Sequence, residues 1–505
     1  MDHRRNHVLS KHKVRNRMND KGCDENRKVT PALLILTTIV ARSCQIAHGC
    51  QACQTQGIDG APRTYADGTR LFHQSGKISE DMNDFNVLIA LLGGGILLMG
   101  LISKWLSASP FPPTLIALFI GVAVGPEGLD LLDLGTLGDQ SLLLEHAARL
   151  ALGIGLVGVA LRIPSDFPRR CWRSIAVLVG VGMPVMWAIS TLIIYWMLDL
   201  PFWLSALIGA AVTPTDPVAS TSIMTGQVAT ENIPGRVRNL VSFDSGANDG
   251  LAYLFIFIPF LLFTEPTHEA ILYWLTKTLL WEVGAALALG LFLGFAGGEL
   301  LKKCEKLGAI EPEWRLVYTA ALGLLAIGAG KLIHSDELLV VFTAAVTFDQ
   351  VVSANDRKHE ELGQEAVNRF FSIPIFVLLG AAIPWQGWED LGWSGIVMAI
   401  AVLLLRRPLT ILLLRPFLPE IRNLPDTLFA GWFGPIAVAA IYYAALMHEK
   451  LDEPLIWNVI SLVICVSVVL HGLTAAPLTR FYGKVTGYKD EIDKQRQAEE
   501  KSKSK

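Results

Sequence analysis

The stretch PFWLSALIGAAVTPTDPVASTSIMT, residues 201–225, decides the fold. Its length and apolar character suit a helix crossing a bilayer, which takes about 20 residues. Its middle nevertheless reads Thr213-Pro214-Thr215-Asp216-Pro217. Proline removes a backbone donor and clashes with the preceding turn, so Pro214 and Pro217 predict a break in mid-span. Asp216 lies inside that break, and a carboxylate at membrane depth is costly enough to be a functional candidate by default.

Similar apolar runs surround it. From Asn86 they lie near 86–106, 112–126, 142–162, 174–197, 201–225, 239–263, 271–299, 315–333, 337–350, 366–384, 393–414, 426–447 and 455–479, the second and ninth being short. The chain is therefore expected to be an all-α polytopic membrane protein of about thirteen transmembrane helices. Composition agrees: of 505 residues 52% are hydrophobic and only 18% charged, against about 25% charged in soluble domains. A net charge of −3 argues against nucleic acid as a partner. Seven cysteines, four of them isolated, exclude a disulfide scaffold. No Walker loop, G-x-S-x-G or H-E-x-x-H motif occurs, so neither ATP use nor hydrolytic chemistry is indicated and no cofactor is expected.

Loop charge sets the orientation. One set of loops carries Arg162, Arg169, Arg170 and Arg173, then Arg236 and Arg238, then Lys302, Lys303 and Lys306, then Arg357 and Lys358, then Arg415 and Arg422. The alternate loops carry Asp199, Glu265 and Glu269, Asp336 and Glu337, and Glu389 and Asp390. The positive-inside rule makes the first set cytoplasmic, so Asn86 begins outside and the tail after Arg480 ends inside. Residues 1–85 form a separate extension: nine Lys or Arg in 1–28, then a short apolar run at 29–41 resembling a secretory signal or an extra anchor. Cys44, His48, Cys50 and Cys53 follow; an external disulfide or an over-long start is the plainer reading there, and metal or redox chemistry the alternative. The expected divisions are 1–85, a transmembrane domain at 86–482 with its core at 173–263 and 393–480, and a short cytoplasmic tail at 483–505.

Two triplets of spans, starting at Arg173 and Trp393, enter from opposite sides, and each has an interrupted middle member. The second interruption contains Gly431, Gly434 and Pro435. Inverted repeats with paired broken helices, crossing near the midplane, point to a transport site there. On the span after the first break, Ser245 and Asp249 stand i, i+4 on one face, with Asn248 and Asp244 nearby. Oxygen ligands of this kind suit a hard monovalent cation at Asp249 and Asp216. Glu145 and Arg149, also i, i+4, read as an intrahelical pair, and His471 as a hydrogen-bonding residue.

The motifs TPTDPVAS (213–220), DSGANDG (244–250), GWFGP (431–435) and HGLTAAPL (471–478) resemble, in order, those of the sodium/proton exchanger family of monovalent cation–proton antiporters. The resemblance implies a core of spans four to six and eleven to thirteen beside a dimerisation domain, in a homodimer. It implies a cation site of Asp249, Asp216, Thr215 through backbone oxygen, Ser245 and Asn248. Relatives with Asp at the Asn248 position are typically electrogenic, so Asn248 implies electroneutral exchange. It also implies that Asp244, where the family has Glu, pairs with an Arg of the eleventh span; Arg407 is favoured over Arg406.

A buried carboxylate can be neutralised by a proton or by a cation, so the two compete for one site. The expected function is exchange of Na+, or alternatively K+ or Li+, for H+ across the plasma (cell inner) membrane by alternating access. A passive cation channel is the weaker alternative, because neither a repeated pore loop nor a ring of charge is present.

Overall fold

Long apolar segments punctuated by proline, glycine and charged turns give helices throughout the residues described by a computed structural model, 68–109, 111–311, 313–352 and 357–494. The basic segment, the apolar run at 29–41 and the Cys44–Cys53 cluster lie outside them. The chain forms two units, Met1–Arg70 and Leu71–Lys505, and the architecture below is that of the second.

Its helices are α1 (Gly68–Leu101), α2 (Pro113–Val124), α3 (Gln140–Arg162), α4 (Trp172–Leu198), α5a (Phe202–Ala211), α5b (Gly226–Asn232), α6 (Gly235–Thr264) and α7 (Thr267–Lys306). There follow α8 (Trp314–Leu332), α9 (Glu337–Val352), α10 (Arg357–Ala381), α11 (Trp385–Leu414), α12a (Leu424–Trp432), α12b (Val438–Leu451) and α13 (Pro454–Val485). Among the described residues seven helices are long and apolar enough to cross a membrane: α3, α4, α6, α7, α8, α11 and α13. The other apolar runs fall on helices that are short, polar at one end, or broken. α2 has only 12 residues and α9 has 16. The fifth run holds α5a and, past its break, only the short helical turn Thr221–Met224, with α5b beyond its end; the twelfth is divided between α12a and α12b.

α4 packs on α5a and α11, and α11 in turn on α12a and α13, so the two predicted triplets adjoin each other. α11 changes direction at Gly392, whose φ of 54° is the left-handed conformation that glycine adopts without steric cost. The apolar run expected from residue 393 starts just after that kink.

Beside the triplets, α7 lies along α9 through Gly290, Gly294 and Gly298, one residue per turn on one face. A Cβ on Gly294 would stand 2.3 Å from the Ala344 carbonyl oxygen and 3.0 Å from the Phe348 nitrogen. Where lipid is as apolar as the protein, such close backbone approach is what holds helices together. Replacing Gly294 with Leu should therefore cost about 1–3 kcal/mol through overpacking. The expected result is a lower unfolding midpoint in detergent than for Gly328→Leu, whose Cβ would meet nothing within 4 Å.

Candidate functional site

The chain leaves helix after Ala211 and again after Trp432, and the two unwound stretches touch. The Asp216 N–H donates to the Pro435 carbonyl at 2.8 Å. Pro214, Pro217, Gly434 and Pro435 all lie in these stretches. Gly434 is required by contact: a Cβ there would stand 2.1 Å from Arg407 Cδ and 2.9 Å from Thr215 Cγ2.

Arg406 and Arg407 are 1% and 2% exposed, so neither snorkels to the interface. Their tasks differ. Arg406 Nη1 donates to the carbonyls of Val212, Thr213 (2.7 Å) and Pro214 (3.2 Å), and Nη2 to that of Gly434 (2.7 Å). It therefore supplies the donors that the first break lost and ties that break to the second. Arg407 Nη1 lies 2.7 Å from Asp244 Oδ2 and 3.3 Å from Thr215 Oγ1, while its Nε donates to the Ala430 carbonyl at 3.0 Å. A guanidinium fills both roles because it offers five donors and keeps its charge.

The break is pinned to α6 by a reciprocal pair. Thr215 N–H donates to Asn248 Oδ1 at 2.9 Å, and Asn248 Nδ2 donates to Thr215 Oγ1 at 2.7 Å. Thr215 Oγ1 is also 3.1 Å from Ser245 Oγ. Asn248 thus uses its amide as both donor and acceptor, which an aspartate could not do.

The two carboxylates at the crossing are unlike. Asp216 Oδ1 accepts from the N–H groups of Val218 (2.6 Å) and Ala219 (3.1 Å), and Oδ2 from that of Val438, the first residue of α12b. It caps chain on both sides of the crossing. Asp249 is 0% exposed, and neither of its carboxylate oxygens has a hydrogen-bond partner among the described residues. It lies in the field of Asp216 and Asp244, both acidic. Beyond the helix's own bonds, its backbone carbonyl accepts from the Tyr443 hydroxyl at 3.0 Å. A buried polar group without a partner is rare and calls for an explanation.

His471 holds the second break from behind, with Nε2 3.0 Å from the Trp432 carbonyl and Nδ1 3.2 Å from Ser467 Oγ; that hydroxyl also receives the Ile436 N–H at 2.8 Å. Ser467 and Tyr443 carry no signal in the sequence, since a lone Ser or Tyr in an apolar helix forms no pattern. Glu145 lies 3.9 Å from the half-exposed Lys331 of α8, closer than the Arg149 its spacing suggested, which acts on it from farther away.

The family model described as sodium/hydrogen exchanger, transmembrane, matches residues 87–481. The chain belongs to the sodium/hydrogen exchanger family. It is a multi-pass integral membrane protein. The exchanger-family chain is 29% identical over 396 residues to a Na(+)/H(+) antiporter of Saccharomyces cerevisiae, covering 72% of this chain and 40% of the yeast protein. It is 24% identical over 408 residues to the K(+)/H(+) antiporter NhaP2 of Shewanella sp. (strain ANA-3), with 80% of this chain and 67% of that one covered. The chain thus spans less than half the length of the yeast relative. Its fold matches the sodium proton antiporter MjNhaP1 from Methanocaldococcus jannaschii with a TM-score of 0.64 at 20% identity, over 79% of this chain and 99% of that one.

The Arg407–Asp244 contact generates a stability prediction. Arg407→Ala leaves a buried carboxylate uncompensated and should cost about 3–5 kcal/mol. The unfolding midpoint in detergent should drop sharply and recover in part when Asp244→Asn is added. Equal midpoints for the single and double variants would remove the ion pair from the account.

Proposed function

We propose that this protein is a secondary active transporter exchanging a monovalent cation for H+, electroneutrally and by alternating access. Asp249 is the group that cation and proton occupy in turn. The observation that carries this reading is the Asp249 carboxylate, wholly buried and unpaired beside two crossed chain breaks. An ionised carboxylate in that position is costly; a proton or a cation removes the cost, and each excludes the other. A site so neutralised crosses the membrane far more cheaply than a bare charge.

Ser245 Oγ, the Thr215 backbone oxygen and Asp216 complete the cation's oxygen ligands in this reading. Asn248 stays neutral. With one carboxylate discharging its negative charge to either substrate, one cation moves against one proton and no net charge moves. Asp216, fixed by three backbone donors, acts as a constant negative field rather than as the carrier. Arg406 and Arg407 hold the crossing together and do not exchange protons.

Na+ is the first choice of cation, supported by the Saccharomyces relative's name; K+ is the second, supported by the name of the Shewanella relative. The same reading takes thirteen spans over residues 86–482, Asn86 outside, a core of α4–α6 and α11–α13 moving against the remaining helices, a homodimer, and the plasma (cell inner) membrane as location. No cofactor is required, because the chemistry is binding alone.

The test is exchange by purified protein in acid-loaded liposomes containing a trapped pH dye, with the membrane potential clamped or free. Addition of Na+ or K+ should alkalinise the lumen at a rate that ignores the potential, and Asp249→Asn should show nothing above protein-free vesicles. A potential-dependent rate would overturn electroneutrality, and undiminished exchange by Asp249→Asn would overturn the site.

A further inference from the structure

The loop between α11 and α12a shapes a groove of about 550 Å³. Arg415 and Arg422 both line it, together with Leu412, Pro416, Leu418 and Ile421, and no acidic side chain does. The loop has a set form. The N–H groups of the buried Leu418 and Ile421 close turns onto the carbonyls of Arg415 (3.1 Å) and Leu418 (2.9 Å), and Pro416 and Pro419 fix the backbone between them. Asn423 Oδ1 then caps α12a, accepting from the Asp426 N–H at 2.8 Å.

Both acids of the loop are committed elsewhere. Glu420 Oε2 accepts from the Ser174 hydroxyl of α4. Asp426, wholly buried, accepts on Oδ2 from Arg236 Nη1 (2.7 Å) and from the Arg422 N–H (3.0 Å), and on Oδ1 from the Tyr482 hydroxyl. The guanidinium groups of Arg415 and Arg422 have no hydrogen bond or ion pair among the described residues. Two forked cations therefore border one groove without an internal anion.

The surroundings are those of a membrane surface. From the kink at Gly392 to Leu414, α11 is long enough to cross the hydrocarbon, so Arg415 emerges at headgroup level. Trp172, 59% exposed at the start of α4, belongs to the aromatic belt found at that level, and the Ser174–Glu420 bond holds the start of α4 beside the loop. Leu413 and Phe417, 64% and 63% exposed, supply apolar surface next to the two arginines. Arginines that merely mark the cytoplasmic side need neither a groove nor an exposed Phe beside them.

We propose that Arg415 and Arg422 bind the phosphate of an anionic glycerophospholipid in the cytoplasmic leaflet, whose acyl chains lie along Leu413 and Phe417. Guanidinium forks match phosphate oxygens two at a time, and basic pockets between spans on the cytoplasmic side suit such headgroups. A free phosphate offers the forks the same oxygens, but it has no use for the apolar surface. The choice of leaflet rests on the orientation that loop charge assigns; the site itself is independent of the exchange reading.

The experiment is equilibrium binding of radiolabelled phosphatidylglycerol, and separately of phosphatidylcholine, to the full chain immobilised in detergent. Arg415→Gln, Arg422→Gln and the double variant are compared with Lys306→Gln, which removes the same charge from the end of α7, outside the groove. Phosphatidylglycerol should bind saturably and more tightly than phosphatidylcholine. Each arginine variant should raise its Kd about fivefold and the double variant about 25-fold, while Lys306→Gln leaves it unchanged. Equal binding of the two lipids, an unaltered Kd in the double variant, or an equal loss in Lys306→Gln would overturn the site. Full displacement of the lipid by millimolar inorganic phosphate would give the groove to a free anion and overturn the lipid assignment. Should one arginine variant fail to fold, the other decides by the same criterion.

Discussion

Unwound backbone cannot be left bare inside a bilayer, and that constraint organises this molecule. Two helices give up their regular bonds at the same place, so carbonyls and N–H groups from both must find partners within the protein. Arg406 takes four of the carbonyls, Asp216 three of the N–H groups, Ser467 another, and the breaks bond directly to each other through Asp216 and Pro435. One charged residue of each sign is thereby committed to structure. Arg407 and Asp244 are committed to each other. What remains is one acid, Asp249, with nothing assigned to it.

That remainder is the basis of the functional reading. Three carboxylates lie close together at the crossing, yet their surroundings divide them into a cap, a salt-bridge partner and a bare group. A site that must accept either a proton or a cation needs an acid without a permanent partner, since a fixed cation beside it would supplant both substrates. The Thr215–Asn248 pair holds that acid's helix against the break without adding charge. In the proposed reading, stability and turnover thus fall to different residues of one crossing.

Much of this was legible in the sequence. The apolar runs located the helices, because span length is imposed by the bilayer, and Pro214, Pro217 and Pro435 located the breaks, because proline acts locally. Asp216 and Asp249 were visible as charges in apolar company. Their difference in role is not legible there, since it depends on how the broken backbone turns the Val218 and Ala219 N–H groups toward Asp216 and on the N–H of Val438, more than two hundred residues away. The division between Arg406 and Arg407 was hidden for a similar reason: adjacent residues on a helix point to different neighbours, and only the packed structure shows which.

The central claim is that proton and cation compete for the Asp249 carboxylate. Its most direct test is calorimetric titration of the detergent-solubilised protein with Na+ in two buffers of different ionisation enthalpy, beside Asp249→Asn. The account predicts that cation binding releases protons, so that the measured heat depends on the buffer, and that this dependence vanishes in the variant. Cation binding with the same heat in both buffers, or an unaltered proton release in Asp249→Asn, would contradict it.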